Sequence, residues 1–111
     1  MAWGIPLAAS SDAPVIPMNP LTGIYAAATR RTESGGAVLP DEFVRVEDAL
    51  CMYTLGSAYA SFEEHIIGSV EAGKRADLVL LDRDPIVVGL EGIKDIRVLM
   101  TMVRAEVVFE R

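Results

Sequence analysis

The stretch Gly68-Ser69-Val70-Glu71-Ala72-Gly73-Lys74-Arg75-Ala76-Asp77-Leu78-Val79-Leu80-Leu81-Asp82 decides the fold class. Its aliphatic run Leu78-Val79-Leu80-Leu81 lies within Ala76 to Asp82 and predicts a strand. Before it, Ser69 to Lys74 reads as a short strand and turn, with Gly73 free to take a backbone conformation closed to other residues. After it, Asp84-Pro85 breaks the strand. Two β-rich runs follow, Ile96 to Val103 and Glu106 to Phe109, and Arg104-Ala105 between them makes a terminal hairpin the natural reading.

Towards the N-terminus the period changes from sheet to helix. Val46, Ala49, Leu50 and Tyr53 fall at i, i+3, i+4 and i+7, and Ala58 carries the apolar face on toward Ala60, which predicts a helix from about Val46. Glu47 and Asp48 suit its first turn, whereas Arg45 stands where a serine, threonine or aspartate cap is expected. Thr32 to Pro40, with Gly35-Gly36, reads as a loop, and the two glycines are too isolated to imply a phosphate site. Asn19-Pro20 reads as a cap followed by proline at the first helical position, predicting a helix over roughly Leu21 to Arg31, along which Leu21, Ile24, Tyr25 and Ala28 recur at helical spacing. Ile5 to Ser10 reads as a buried strand that releases Ser10-Ser11-Asp12 at its C-terminal end, where α/β folds place their chemistry. Met1 and Trp3 beside it read as apolar packing.

The bulk properties bound what such a chain does. Its 111 residues make one small domain and fall well short of the roughly 250 that a complete (β/α)8 barrel needs. With 51% hydrophobic and 23% charged residues, disorder is a poor description. Sixteen acidic against ten basic residues give a net charge of −6, the wrong sign for binding nucleic acid. One cysteine, Cys51, and one histidine, His65, build neither an internal disulfide nor a zinc cluster, and a reducing, cytoplasmic setting is the default expectation. No basic residue precedes the apolar start, so a signal peptide is not expected, and no apolar run approaches the roughly 20 residues of a membrane span.

Taken in order, these segments resemble the C-terminal end of the metal-dependent amidohydrolase superfamily, in particular the amidohydrolase-3 group with its YtcJ-like proteins and N-substituted formamide deformylases. Ser10-Ser11-Asp12-Ala13-Pro14-Val15 with Asn19-Pro20-Leu21, and the Gly68 to Asp82 stretch, carry most of the likeness. Glu47-Asp48-Ala49-Leu50 and Tyr53-Thr54 match the family's helix beyond the barrel, and Thr101-Met102-Val103 matches its closing hairpin. The resemblance implies an α/β fragment: residues 1–65 as the last strand and helices of a TIM-type barrel, and residues 66–111 as part of a small β-sandwich built from both chain ends. In that sandwich Leu78 to Leu81 would fill the core.

The resemblance also implies a chemistry. The aspartate at the end of the eighth barrel strand, here Asp12, binds a catalytic divalent metal, zinc in many full-length relatives, and handles the proton of the hydrolytic water. The family's other ligands come from a His-x-His pair after the first strand, a lysine or acidic residue from the fourth, and histidines from the fifth and sixth. None of those strands is present in this sequence, so the chain alone is expected to bind no metal stably and to be inactive by itself. The implied activity is hydrolysis of non-peptide carbon–nitrogen bonds; the alternative is a non-catalytic remnant or small oligomeric interaction module. Absent sandwich strands would leave an unpaired edge, so the expected partner is a second copy or a complementary barrel chain.

The remaining candidates read more plainly. His65 beside Glu63 and Glu64 reads as solvated loop, Ser10 and Ser11 as supports of the backbone, Cys51 as core, and Asp77 as a strand-edge or turn residue. Two positions depart from the family pattern. Arg45 replaces the hydroxyl cap, and Arg104-Ala105 stands where the closing hairpin commonly has glycine, pointing to a strained or longer turn.

Overall fold

The computed structural model describes residues 4–111. Helix α1, Pro20–Thr29, starts as its sequence dictates: Pro20 is its first residue and the Asn19 side chain accepts the Leu21 N–H at 3.0 Å. It ends short of Arg31 because Arg30 turns left-handed at φ 56, its N–H still donating to the Ala26 carbonyl. Arg31 then bridges to Ala37 around a tight loop in which the Gly36 carbonyl accepts the Thr32 N–H at 2.8 Å.

The second predicted helix is two helices. Helix α2 runs Val46–Tyr53, the backbone leaves helical geometry at Thr54 (φ −116, ψ −89), and α3 runs Leu55–Ala60. Arg45 makes no side-chain cap bond and instead reaches Asp48, its Nε 2.8 Å from Oδ2. Beyond α3 the chain turns back at Gly68, where φ is +93 and a Cβ would sit 2.7 Å from the Cβ of Ala58, so only glycine fits. Ser69 to Lys74 is a turn and not a strand. Lys74 Nζ closes it by donating to Ser69 Oγ at 2.5 Å, and Gly73 takes φ +94, so its backbone cannot lie in a ladder.

Strands β1, Leu78–Leu81, β2, Val98–Val103, and β3, Glu106–Glu110, form an antiparallel sheet in the order β1-β2-β3. Leu78 pairs with Met102, Leu80 with Met100, and Thr101 with Phe109. The hairpin turn is short, with Arg104 and Ala105 both at positive φ (53 and 65), the combination a two-residue type I′ turn requires.

The core lies away from the sheet. The connection from β1 to β2 carries a 3-10 turn, Leu90–Asp95, that packs against α1 and brings Ile93 into the core. Leu21, Ile24, Ala49, Ile93 and Ile96 form the buried cluster, with Leu81 packed on its edge. The run Leu78 to Leu81 therefore does not fill a core here: Val79 is 56% and Leu80 51% exposed. A strand is buried on both faces only when a layer covers each; Val79 and Leu80 point to opposite faces, and among the described residues no second sheet lies on either.

Two further expectations are corrected. Ile5 to Ser10 forms no strand, because a ladder needs a neighbouring strand and the described residues offer it none; in its place the Ala9 N–H donates to the Met52 carbonyl at 3.0 Å. Cys51 is exposed on α2, beside Pro6 and Leu7, and is not a core residue. The expectations for Met1 and Trp3 fall outside the described residues. Among those residues no helix is long and apolar enough to cross a membrane.

Candidate functional site

Asp12 sits at the tip of a turn assembled by its own neighbours. The Ser10 hydroxyl oxygen accepts the Asp12 N–H and the Ser11 hydroxyl oxygen accepts the Ala13 N–H, each at 3.3 Å, while the Asp12 carbonyl accepts the Val15 N–H at 3.0 Å. Asp12 itself takes φ 55, a left-handed conformation that aspartate adopts more readily than most residues. The two serines thus shape backbone, as their position before the turn predicts, and the Asp12 carboxylate is left exposed.

The turn is held from behind by the α2–α3 junction. Ala9 donates its N–H to Met52, and the Ser57 hydroxyl lies 3.3 Å from the Ala9 carbonyl and 3.0 Å from that of Met52. Next to the turn is a hollow of about 540 Å³ lined by Ser10, Ser11, Ile24, Tyr53, Val79 and Leu81 among others. The hollow has no signature in the sequence, because its lining comes together from the Ser10-Ser11 turn, α1, α2, β1 and β2.

A catalytic metal needs about three protein ligands. Among the described residues no group of three His, Cys, Asp or Glu side chains converges, so the donor set of this chain alone does not fit such an ion. His65 lies in the loop after α3, is 89% exposed and has its Nε2 3.7 Å from Glu64 Oε1.

The shifted carboxylates belong to the frame. The Asp77 carboxyl is held below the usual range by the Arg75 guanidinium and then by the Arg104 N–H. Asp82 is lowered by the backbone N–H of Arg97 and then by its guanidinium. Both acids bracket β1 and tie it to β2 and the hairpin turn, so the motif from Gly68 to Asp82 does structural work.

The sequence match runs through this whole frame. The model of the Amidohydrolase family (Amidohydro_3) matches residues 1–109. The chain belongs to the amidohydrolase family. N-substituted formamide deformylase of Arthrobacter pascens is 38% identical over 97% of this amidohydrolase chain and 20% of its own length. The YtcJ amidohydrolase of Bacillus subtilis (strain 168) is 31% identical over 97% of the chain and 21% of its own length. In structure the chain is similar to an amidohydrolase from Thermotoga maritima MSB8, with a TM-score of 0.70 and 28% identity over 97% of this chain and 24% of that one. This amidohydrolase chain therefore spans about a fifth of the length of the curated relatives it matches. Members of the family are generally metal-dependent hydrolases.

Proposed function

We propose that this chain is the C-terminal part of a hydrolase acting on non-peptide carbon–nitrogen bonds, inactive by itself and completed by barrel strands from outside it. Residues 1–65 would close a TIM-type barrel and residues 66–111 would contribute to a small β-sandwich. The observation that carries the reading is the family match over residues 1–109. Asp12 is the position that corresponds to the family's eighth-strand aspartate, and its carboxylate would join ligands from the other strands around a divalent metal, zinc by preference. When bound, that metal supplies a water of lowered pKa. The chain's own contribution is an exposed carboxylate on a turn fixed by Ser10 and Ser11.

The test supplies the missing part. The chain is mixed with the barrel portion of a family member that carries the remaining ligands, zinc is added, and hydrolysis of an N-substituted formamide is followed, a substrate chosen from the deformylase relative. Hydrolysis by the mixture, absent from either part and abolished by Asp12→Ala, supports the reading. An inactive but assembled mixture, or activity untouched by Asp12→Ala, contradicts it.

The second reading, a non-catalytic remnant or oligomeric module, is favoured by one observation. Leu80 on β1 and Val108 on β3 are 51% and 61% exposed, an apolar sheet surface that asks for a cover. Either a second copy or the complementary barrel chain would supply it, and light scattering of the chain with and without the barrel portion separates the two. Its single cysteine, Cys51, fits a reducing, cytoplasmic compartment.

A further inference from the structure

We propose that Gly56 and Ser57, in the first turn of α3, are positioning residues that set where the Asp12 turn stands. The inference rests on Asp12 being the carboxylate of the site. Nothing in the spacing of α2 and α3 requires a helix break at Thr54, since the apolar face from Val46 through Ala58 would serve one continuous helix. What the break accomplishes is visible in the contacts it permits. Met52 lies in the last turn of α2, where carbonyls lack intrahelical partners, and the Ala9 N–H supplies one at 3.0 Å.

Two residues of α3 complete the clamp. The Ser57 hydroxyl lies 3.3 Å from the Ala9 carbonyl and 3.0 Å from that of Met52, so its single proton links the incoming segment to the end of α2. Gly56 receives the Leu7 carbonyl: a Cβ at that position would lie 2.2 Å from the Leu7 oxygen and 3.2 Å from its carbon, both backbone atoms that cannot swing aside. Leu7 and Ala9 are thus fixed on α3 just before Ser10 and Ser11 build the turn that carries Asp12. A segment with no strand neighbour among the described residues is located by a helix end, a glycine gap and one hydroxyl.

The test uses the isotope-labelled chain and reads the exchange rate of the Ala9 amide and the backbone and carboxyl resonances of Asp12 by NMR. Ser57→Ala should speed Ala9 exchange about tenfold, as loss of one hydrogen bond predicts, and move the Asp12 resonances while β2 amides keep their protection. Ser57→Thr, which retains the hydroxyl, should restore both. Gly56→Ala should shift Asp12 through displacement of Leu7, and should it fail to fold, the serine pair decides alone. Unchanged Ala9 exchange and Asp12 resonances in Ser57→Ala would overturn the proposal, and so would an equal loss of protection throughout β2. Asp12→Asn should leave Ala9 exchange unaltered, so a failure of Asp12 to serve any metal would not imitate a failure of the clamp.

Discussion

The Arg104 N–H donates to the Asp77 carboxylate at 2.8 Å across 27 positions of sequence. At the other end of β2, the Arg97 N–H donates to Asp82 Oδ1 at the same 2.8 Å, and Arg97 Nε reaches Oδ2 at 2.9 Å. The two acids that bracket Leu78 to Leu81 therefore grip β2 just before it starts and just after it ends. Because a slip of one residue would turn every side chain to the wrong face, such end clamps fix the register of a short, apolar strand pair.

The hairpin turn held by Asp77 carries strain that glycine would remove. Arg104 and Ala105 both sit at positive φ, and a left-handed residue with a Cβ costs about 1 kcal/mol. Ala105→Gly should raise stability by about that amount, which for a domain of this size shifts Tm by roughly 4–8 °C. Thermal unfolding followed by circular dichroism checks it; an unchanged or lowered Tm would mean that the turn is unstrained.

Acid should weaken the clamps at the two ends of β2. Asp77 and Asp82 both have carboxyls lowered in the folded state by Arg75 and by the Arg97 N–H respectively. A group whose folded pKa is depressed stabilises fully above its unfolded value, about 3.9 for aspartate, and loses that contribution as pH falls through the folded value. Chemical denaturation at pH 7, 4.5 and 3 should show little change between the first two and a clear drop at the third. In Asp77→Asn and Asp82→Asn together, the drop should shrink.

The helical core should be intolerant of truncation. Ile93 is 0% exposed and belongs to the buried cluster with Leu21, Ile24 and Ala49, so Ile93→Ala should cost about 2–5 kcal/mol and Ile93→Val about 1 kcal/mol. Urea midpoints of the two variants provide the measurement. A loss well below 1 kcal/mol for the alanine variant would place the core elsewhere.

Much of this frame was legible in residue pattern. Asn19-Pro20 announced the start of α1, the β-rich runs around Arg104-Ala105 announced the hairpin, and the order of motifs pointed to the family. Tertiary contacts decided what pattern could not. The break at Thr54 is invisible in the apolar period of α2 and α3, and it falls where Leu7 and Ala9 seat on the junction. The strand expected over Ile5 to Ser10 and the burial expected for Leu78 to Leu81 both assume neighbours that the described residues do not supply. Cys51 went the same way, since an apolar residue on a helix is buried only where another layer meets that face. Asp12 was marked by its place after an apolar run, and its exposed turn follows from the serines beside it.

Asp12 is proposed as the one carboxylate that this chain brings to a metal site completed from outside it. Elemental analysis of the purified chain after loading with zinc or manganese and exhaustive dialysis tests it most directly. Far less than one metal ion per chain is expected, unchanged by Asp12→Ala. Near-stoichiometric metal that survives dialysis and disappears in Asp12→Ala would contradict it.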